Sequence, residues 1–108
     1  MPTYLHIGSY TREGSITLRD AGGTARADAV REAVEGVGGR VDRIYWAFGA
    51  RRVYALLELP DDDTATALNL AVDAAGALEL ETVRLHSAEE IDLAADQAGR
   101  YHPPGTGP

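Results

Sequence analysis

Histidine is the side chain whose ordinary pKa places a charge change close to neutral pH, and this sequence carries three, at positions 6, 86 and 102. His6 differs from the others in its setting. It lies in the middle of the alternating run Thr3–Tyr10, TYLHIGSY, where a neutral imidazole can take a proton, or accept a hydrogen bond, from a bound molecule. Arg52 and Tyr54 fall two residues apart in another strand pattern, which puts them on one face. A guanidinium beside a phenol can steady an oxyanion, giving a candidate catalytic set of His6, Tyr54 and Arg52. Tyr4, Trp46, Glu58, Arg84 and His86 are candidate ligand-binding residues, the aromatics for flat contact with a polar edge and the ionisable groups for charge-assisted hydrogen bonds. Each has a competing structural reading: His6 satisfied within a subunit interface, Trp46 and Tyr54 packed there, and Arg52 neutralised by Glu58, Glu81 or a glutamate of a second copy.

Other chemistries lack their residues. With no cysteine and no carboxylate at ligand spacing from the histidines, no metal site is expected. The run Asp61-Asp62-Asp63 follows Pro60 at a helix start, where capping accounts for it. Gly36, Gly38 and Gly39 end a helix and do not follow a strand, so they are no phosphate cradle, and neither a GxSxG elbow nor a dinucleotide fingerprint occurs. The expectation is a protein without a cofactor.

The elements that must position these side chains are legible from periodicity. Residues 38–60 read as two strands joined by a tight turn at Gly49-Ala50 and closed by Pro60. Alternation assigns Val41, Tyr45 and Ala47 with Val53, Ala55, Leu57 and Leu59 to one face, and Ile44, Trp46 and Phe48 with Arg52, Tyr54, Leu56 and Glu58 to the other. Thr3–Tyr10 precedes this hairpin as a first strand, with Tyr4, His6, Gly8 and Tyr10 sharing a face, and residues 77–86 follow it as a fourth. Helices are expected at 24–37, capped by Thr24, at 61–75, capped by an aspartate, and at 87–98, opened by a capping box at Ser87 and Glu90. Residues 11–23 read as a long polar connection holding at most a short helical turn. Strand-helix-strand occurs twice. That order predicts an α+β ferredoxin-like sandwich, a four-stranded antiparallel sheet with two helices on one face and a short C-terminal helix. The opposite face, with Ile44, Trp46, Phe48, Tyr54, Leu56, Leu78 and Leu80, would then be apolar and in need of cover, which predicts a face-to-face homodimer closing an α/β barrel.

One domain, residues 1–98, is expected, with 99–108 too rich in glycine and proline to fold and forming a tail. A formal net charge of −7 opposes nucleic-acid binding, which rests on neutralising phosphates. No apolar run approaches a membrane span, and the N-terminal residues enter a strand pattern directly, so a cytoplasmic location without membrane contact is expected.

Four segments carry a resemblance: MPTYLHIGSYT at the start, GGRVDRIYWAFG before the turn, ALLELPDD after it and LETVRLHSAEE near the end. In this order and spacing the chain resembles the GYD family, small bacterial proteins grouped with the dimeric α/β-barrel, ferredoxin-like proteins. The segment that gives that family its name, Gly-x-Tyr-Asp, falls on Gly49, Ala50, Arg51 and Arg52, so only the glycine is kept. The resemblance implies a homodimeric α/β-barrel protein; the ionisable groups on its aromatic sheet face lead to the expectation that it binds a small organic molecule, and analogy with the wider group leaves a cofactor-free enzyme open as one form of that reading. The alternative is a non-enzymatic structural or regulatory oligomer whose aromatic sheet face serves only as an interface.

Overall fold

The computed structural model of the protein describes residues 1–105. Within them the order is β1 (Thr3–Tyr10), α1 (Arg12–Ala21), α2 (Gly23–Gly36), β2 (Arg40–Trp46), β3 (Arg52–Glu58), α3 (Asp62–Ala75), β4 (Leu78–Leu85) and α4 (Ala88–Ala98). The strands form one antiparallel sheet in the order β2-β3-β1-β4. Helices α2 and α3 cover one face, α2 over β2 and α3 over β4. Their residues Val34, Ala65 and Leu68 meet Tyr4, Ala55 and Leu57 of the central strands in the core. This is the ferredoxin-like α+β arrangement.

Local chemistry fixes the helix ends. Asp61 caps α3, its Oδ1 accepting from the Thr64 amide at 2.7 Å, and Gly76 ends that helix in the left-handed region at φ 81°. At α4 the expected capping box is complete: the Ser87 hydroxyl accepts from the Glu90 amide, and Glu90 Oε1 accepts from the Ser87 amide. Thr24 does not cap α2. That helix begins one residue earlier and its N-cap is Gly22, which has no side chain to offer. The tail expected from Gly99 is exposed as far as Gly105, and its remaining residues, 106–108, lie outside the described residues.

Two differences from the sequence reading have clear physical causes. The first is α1, ten residues of helix where a polar connection was expected. Its only buried residue is Gly14, so no apolar stripe marks it. It is held instead by Thr11, whose hydroxyl accepts from the Gly14 amide at 3.2 Å and donates to the Gly76 carbonyl at 2.7 Å. The second is a β-bulge between Val41 and Arg43. An extra residue reverses the alternation beyond it, so Ile44 and Trp46 join Val41 on the helix-covered face while Tyr45 turns outward and is 60% exposed. Leu78 and Leu80 also face the helices, because they pair with Tyr10 and Gly8. The open face therefore carries Leu5, Ile7, Tyr45, Tyr54, Leu56, Val83 and Leu85, a different apolar set from the expected one.

Gly14 is where α1 runs against the backbone that precedes β4. A Cβ at this position would lie 1.9 Å from the Ala77 carbonyl oxygen, whereas one at Gly36 in α2 would meet nothing within 4 Å. Gly14→Ala should therefore cost about 2 kcal/mol or more, read as a lower urea midpoint at constant slope. Gly36→Ala should leave stability unchanged or raise it by up to about 1 kcal/mol.

Candidate functional site

Pairing of β1 with both neighbours decides what surrounds His6. The residue lies opposite Ala55 on β3 and Thr82 on β4, on the helix-covered face and flanked along its own strand by Tyr4 and Gly8. Small side chains dominate here. Gly8 and Ala55 cannot reach the helix layer, and α2 and α3 present Ala29, Ala33 and Ala75 above them. What remains between the layers is a cavity of about 190 Å³, opening between the two helices where those three alanines are exposed.

Of the seventeen residues lining the cavity, His6 and Arg26 alone have polar side chains. His6 is 7% exposed, and its Nε2 is buried without a hydrogen-bond partner. The one neighbouring hydroxyl is occupied, since Thr82 Oγ1 donates to Asn69 Oδ1 at 3.0 Å. Burial pushes the His6 pKa down from 6.5 to about 4, so the ring is neutral at pH 7. A buried polar atom with no partner is uncommon in a folded protein and costs about 1–3 kcal/mol. The chain carries that cost at a cavity wall.

The other proposed residues do not gather around His6. Arg52 and Tyr54 occupy the opposite, open face, with the guanidinium carbon 5.8 Å from the centre of the Tyr54 ring. The sheet itself separates them from the imidazole, so the set of three is not assembled within one chain. Glu58 is also on the open face, in an ion pair with Arg40. Trp46 shares the face of His6 but packs towards the other end of β1, donating Nε1–H to the Tyr10 hydroxyl at 2.9 Å.

Tyr4 and Arg84 do lie on the face of His6, where they pair with one another across the strands. They belong to a separate polar cluster at the start of α3. Tyr4 donates its hydroxyl to Asp62 Oδ1, and burial, reinforced by that bond, pushes its pKa up to about 12. The Arg84 guanidinium stacks 5.6 Å from the Tyr4 ring centre and reaches both Asp62 and Glu90. Glu90 also meets His86 Nδ1 at 3.2 Å, and its acceptor bond from the Ser87 amide, then that from His86, holds its pKa down at about 2. Every charge in this cluster has a partner. It ties α4 to β4 and α3, whereas the unsatisfied group is His6.

Arg26 escaped the sequence reading. Its signal was present: residues 26, 29, 30 and 33 recur at helical spacing beside the apolar stripe of α2, so an arginine there borders the covered face. Among the described residues no group of His, Cys, Asp and Glu is placed to hold a metal ion.

The low pKa of His6 has a thermodynamic consequence. Below pH 6.5 the unfolded chain binds a proton at this residue that the folded chain refuses until about pH 4. Stability should therefore fall as pH drops through that window, by about 3 kcal/mol in full. No carboxylate lines the cavity to offset this. In His6→Leu the difference in unfolding free energy from wild type should vary with pH over that range and be flat above it, as measured by urea titrations at successive pH values.

A search of curated proteins finds no match to the sequence. The family model described as GYD domain matches residues 4–95, a span that begins at Tyr4, includes all the cavity-lining residues and ends within α4. The chain belongs to the GYD domain family.

Proposed function

We propose that the protein binds a small organic molecule in the cavity over His6, and that its imidazole is the group that recognises, and in a catalytic cycle deprotonates, that molecule. The observation that carries this reading is the unpartnered Nε2 of a buried, neutral histidine beside an apolar space. Folding gains nothing from such a group. A ligand with an O–H or an acidic C–H supplies the missing partner, and rotation of the ring about χ2 offers either nitrogen to it. The cavity is smaller than the ~300 Å³ at which drug-sized pockets begin, which limits the ligand to a compact molecule. Proton transfer to His6 uses no cofactor, but burial that holds the ring pKa at about 4 makes it a weak base, so accepting a hydrogen bond from the ligand is its first role.

The second part of the proposal is a homodimer formed through the open sheet face. Leu5, Ile7, Leu56, Val83 and Leu85 lie there only half-buried, and charge is distributed unevenly across them. Arg43 and Arg52 stand on the β2–β3 half, while Glu79 and Glu81 stand on β4 without an ion-pair partner among the described residues. A two-fold axis parallel to the strands lays one half over the other, Arg52 towards Glu79 of the second copy. The rival reading, a structural or regulatory oligomer, shares this interface but has no use for the cavity.

Phenol is a suitable first probe for the pocket. It should shift the His6 ring resonances in a heteronuclear NMR titration, and Ala33→Phe, which places a ring at the mouth, should abolish the shift without unfolding the protein. Phenol that leaves those resonances unmoved, or that binds equally well to Ala33→Phe, overturns the pocket reading. For the interface, Arg52→Glu should weaken self-association about tenfold or more in sedimentation experiments, and adding Glu79→Arg should restore it. A monomeric wild-type protein overturns the dimer.

A further inference from the structure

The cavity over His6 has a second polar wall, and its sign is informative. Arg26, in the first full turn of α2, is the only residue lining the cavity that carries a formal charge at neutral pH. Its guanidinium makes no ion pair, hydrogen bond or aromatic stack among the described residues. The nearest acidic residue in sequence, Asp28, is engaged with Arg31, and the first turn of α2 has no acidic residue. In a chain with seventeen carboxylates and a net charge of −7, an arginine left unpaired at the edge of an apolar space stands out.

From this arrangement we infer that the molecule taken up by the cavity is a compact monocarboxylate, its apolar body seated over Gly8 and Ala55 and its carboxylate held by Arg26. The planar guanidinium matches a carboxylate with two parallel hydrogen bonds, and the low dielectric of the surrounding apolar wall strengthens that pair. Size sets the upper limit. An apolar cavity of ~150 Å³ accepts benzene, so about 190 Å³ accommodates one aromatic ring with its carboxylate at the mouth. His6, neutral and on the floor, then meets the part of the ligand remote from the carboxylate. A charged imidazole there would compete with Arg26 for the anion; the neutral ring leaves Arg26 as the single anion-binding group. The acidic surface elsewhere selects against anions that lack an apolar body, since only the pocket rewards burial.

This inference rests on the pocket reading, and its test separates the two. Benzoate and its neutral counterpart benzamide are titrated by calorimetry and heteronuclear NMR into the full-length wild-type protein, Arg26→Gln and Arg26→Lys. Benzoate should bind wild type about tenfold or more tightly than benzamide. Arg26→Gln should abolish that preference by weakening benzoate much more than benzamide, and Arg26→Lys should retain part of it. Shifts should centre on His6, Ala29, Ala33 and Ala75. If benzamide binds at these residues as tightly as benzoate, or if the preference survives Arg26→Gln, the pocket stands and the carboxylate inference falls. If neither compound perturbs these residues, both fall.

Discussion

The antiparallel pairing of β1 with β3 and β4 is the constraint on which the rest of this molecule depends. It aligns Tyr4, His6 and Gly8 with Leu57, Ala55 and Val53 on one side and with Arg84, Thr82 and Leu80 on the other. A slip of one residue in β1 would send Tyr4, His6 and Gly8 to the open face and put Leu5 and Ile7 under the helices in their place. In the observed register Leu57 and Leu59 are fully buried and anchor one end of the core, while Gly8 and Ala55 leave the centre of the face low. The helices rest on the larger side chains at the margins. The space they span over the smaller ones is the cavity.

His6 gains its character from that same geometry. A histidine on the open face would be solvated, or held in its charged form by Glu79 or Glu81. Under α2 and α3 it loses water without gaining a partner, and burial alone drives its pKa down. The polar cluster two residues along β1 shows the contrast. Tyr4 is buried even more completely than His6, yet Asp62 accepts a hydrogen bond from its hydroxyl and Arg84 covers its ring. Nothing in the fold prevents such satisfaction at position 6; the residues around it simply do not provide it. His6 Nε2 is the one buried side-chain nitrogen or oxygen left without a hydrogen-bond partner among the described residues, and half-buried Arg26 borders the same cavity from α2 without an ion-pair partner among them.

The open face and α4 belong to a different kind of surface. Phe48 at the hairpin tip and Ile91 and Leu93 on α4 are exposed, and α4 has no buried residue at all. Its attachment is electrostatic, through Glu90 to Arg84 and His86, with little apolar packing behind it. The molecule is accordingly elongated, 62 × 26 × 25 Å.

The sequence by itself determined the order of the four strands and of α2, α3 and α4, the ferredoxin-like topology, an aspartate cap on α3, the capping box at Ser87 and the family, because these rest on local spacing: a helix cap needs a residue three positions away, and an apolar stripe repeats within a single helix. It also singled out His6 as the residue to watch. What it could not decide was which residues meet. One bulge at Val41/Arg43 exchanged Tyr45 for Trp46, and the pairing of β4 with β1 moved Leu78 and Leu80 inward, since side-chain parity is lost wherever one unpaired residue is added. Helix α1 was invisible because a glycine is its buried contact. Arg52 and Tyr54 were separated from His6, and Arg26 was brought to it, by the placement of a helix over a sheet. Such contacts join residues far apart in the chain and leave no periodic trace within it, so only the tertiary structure could assign them.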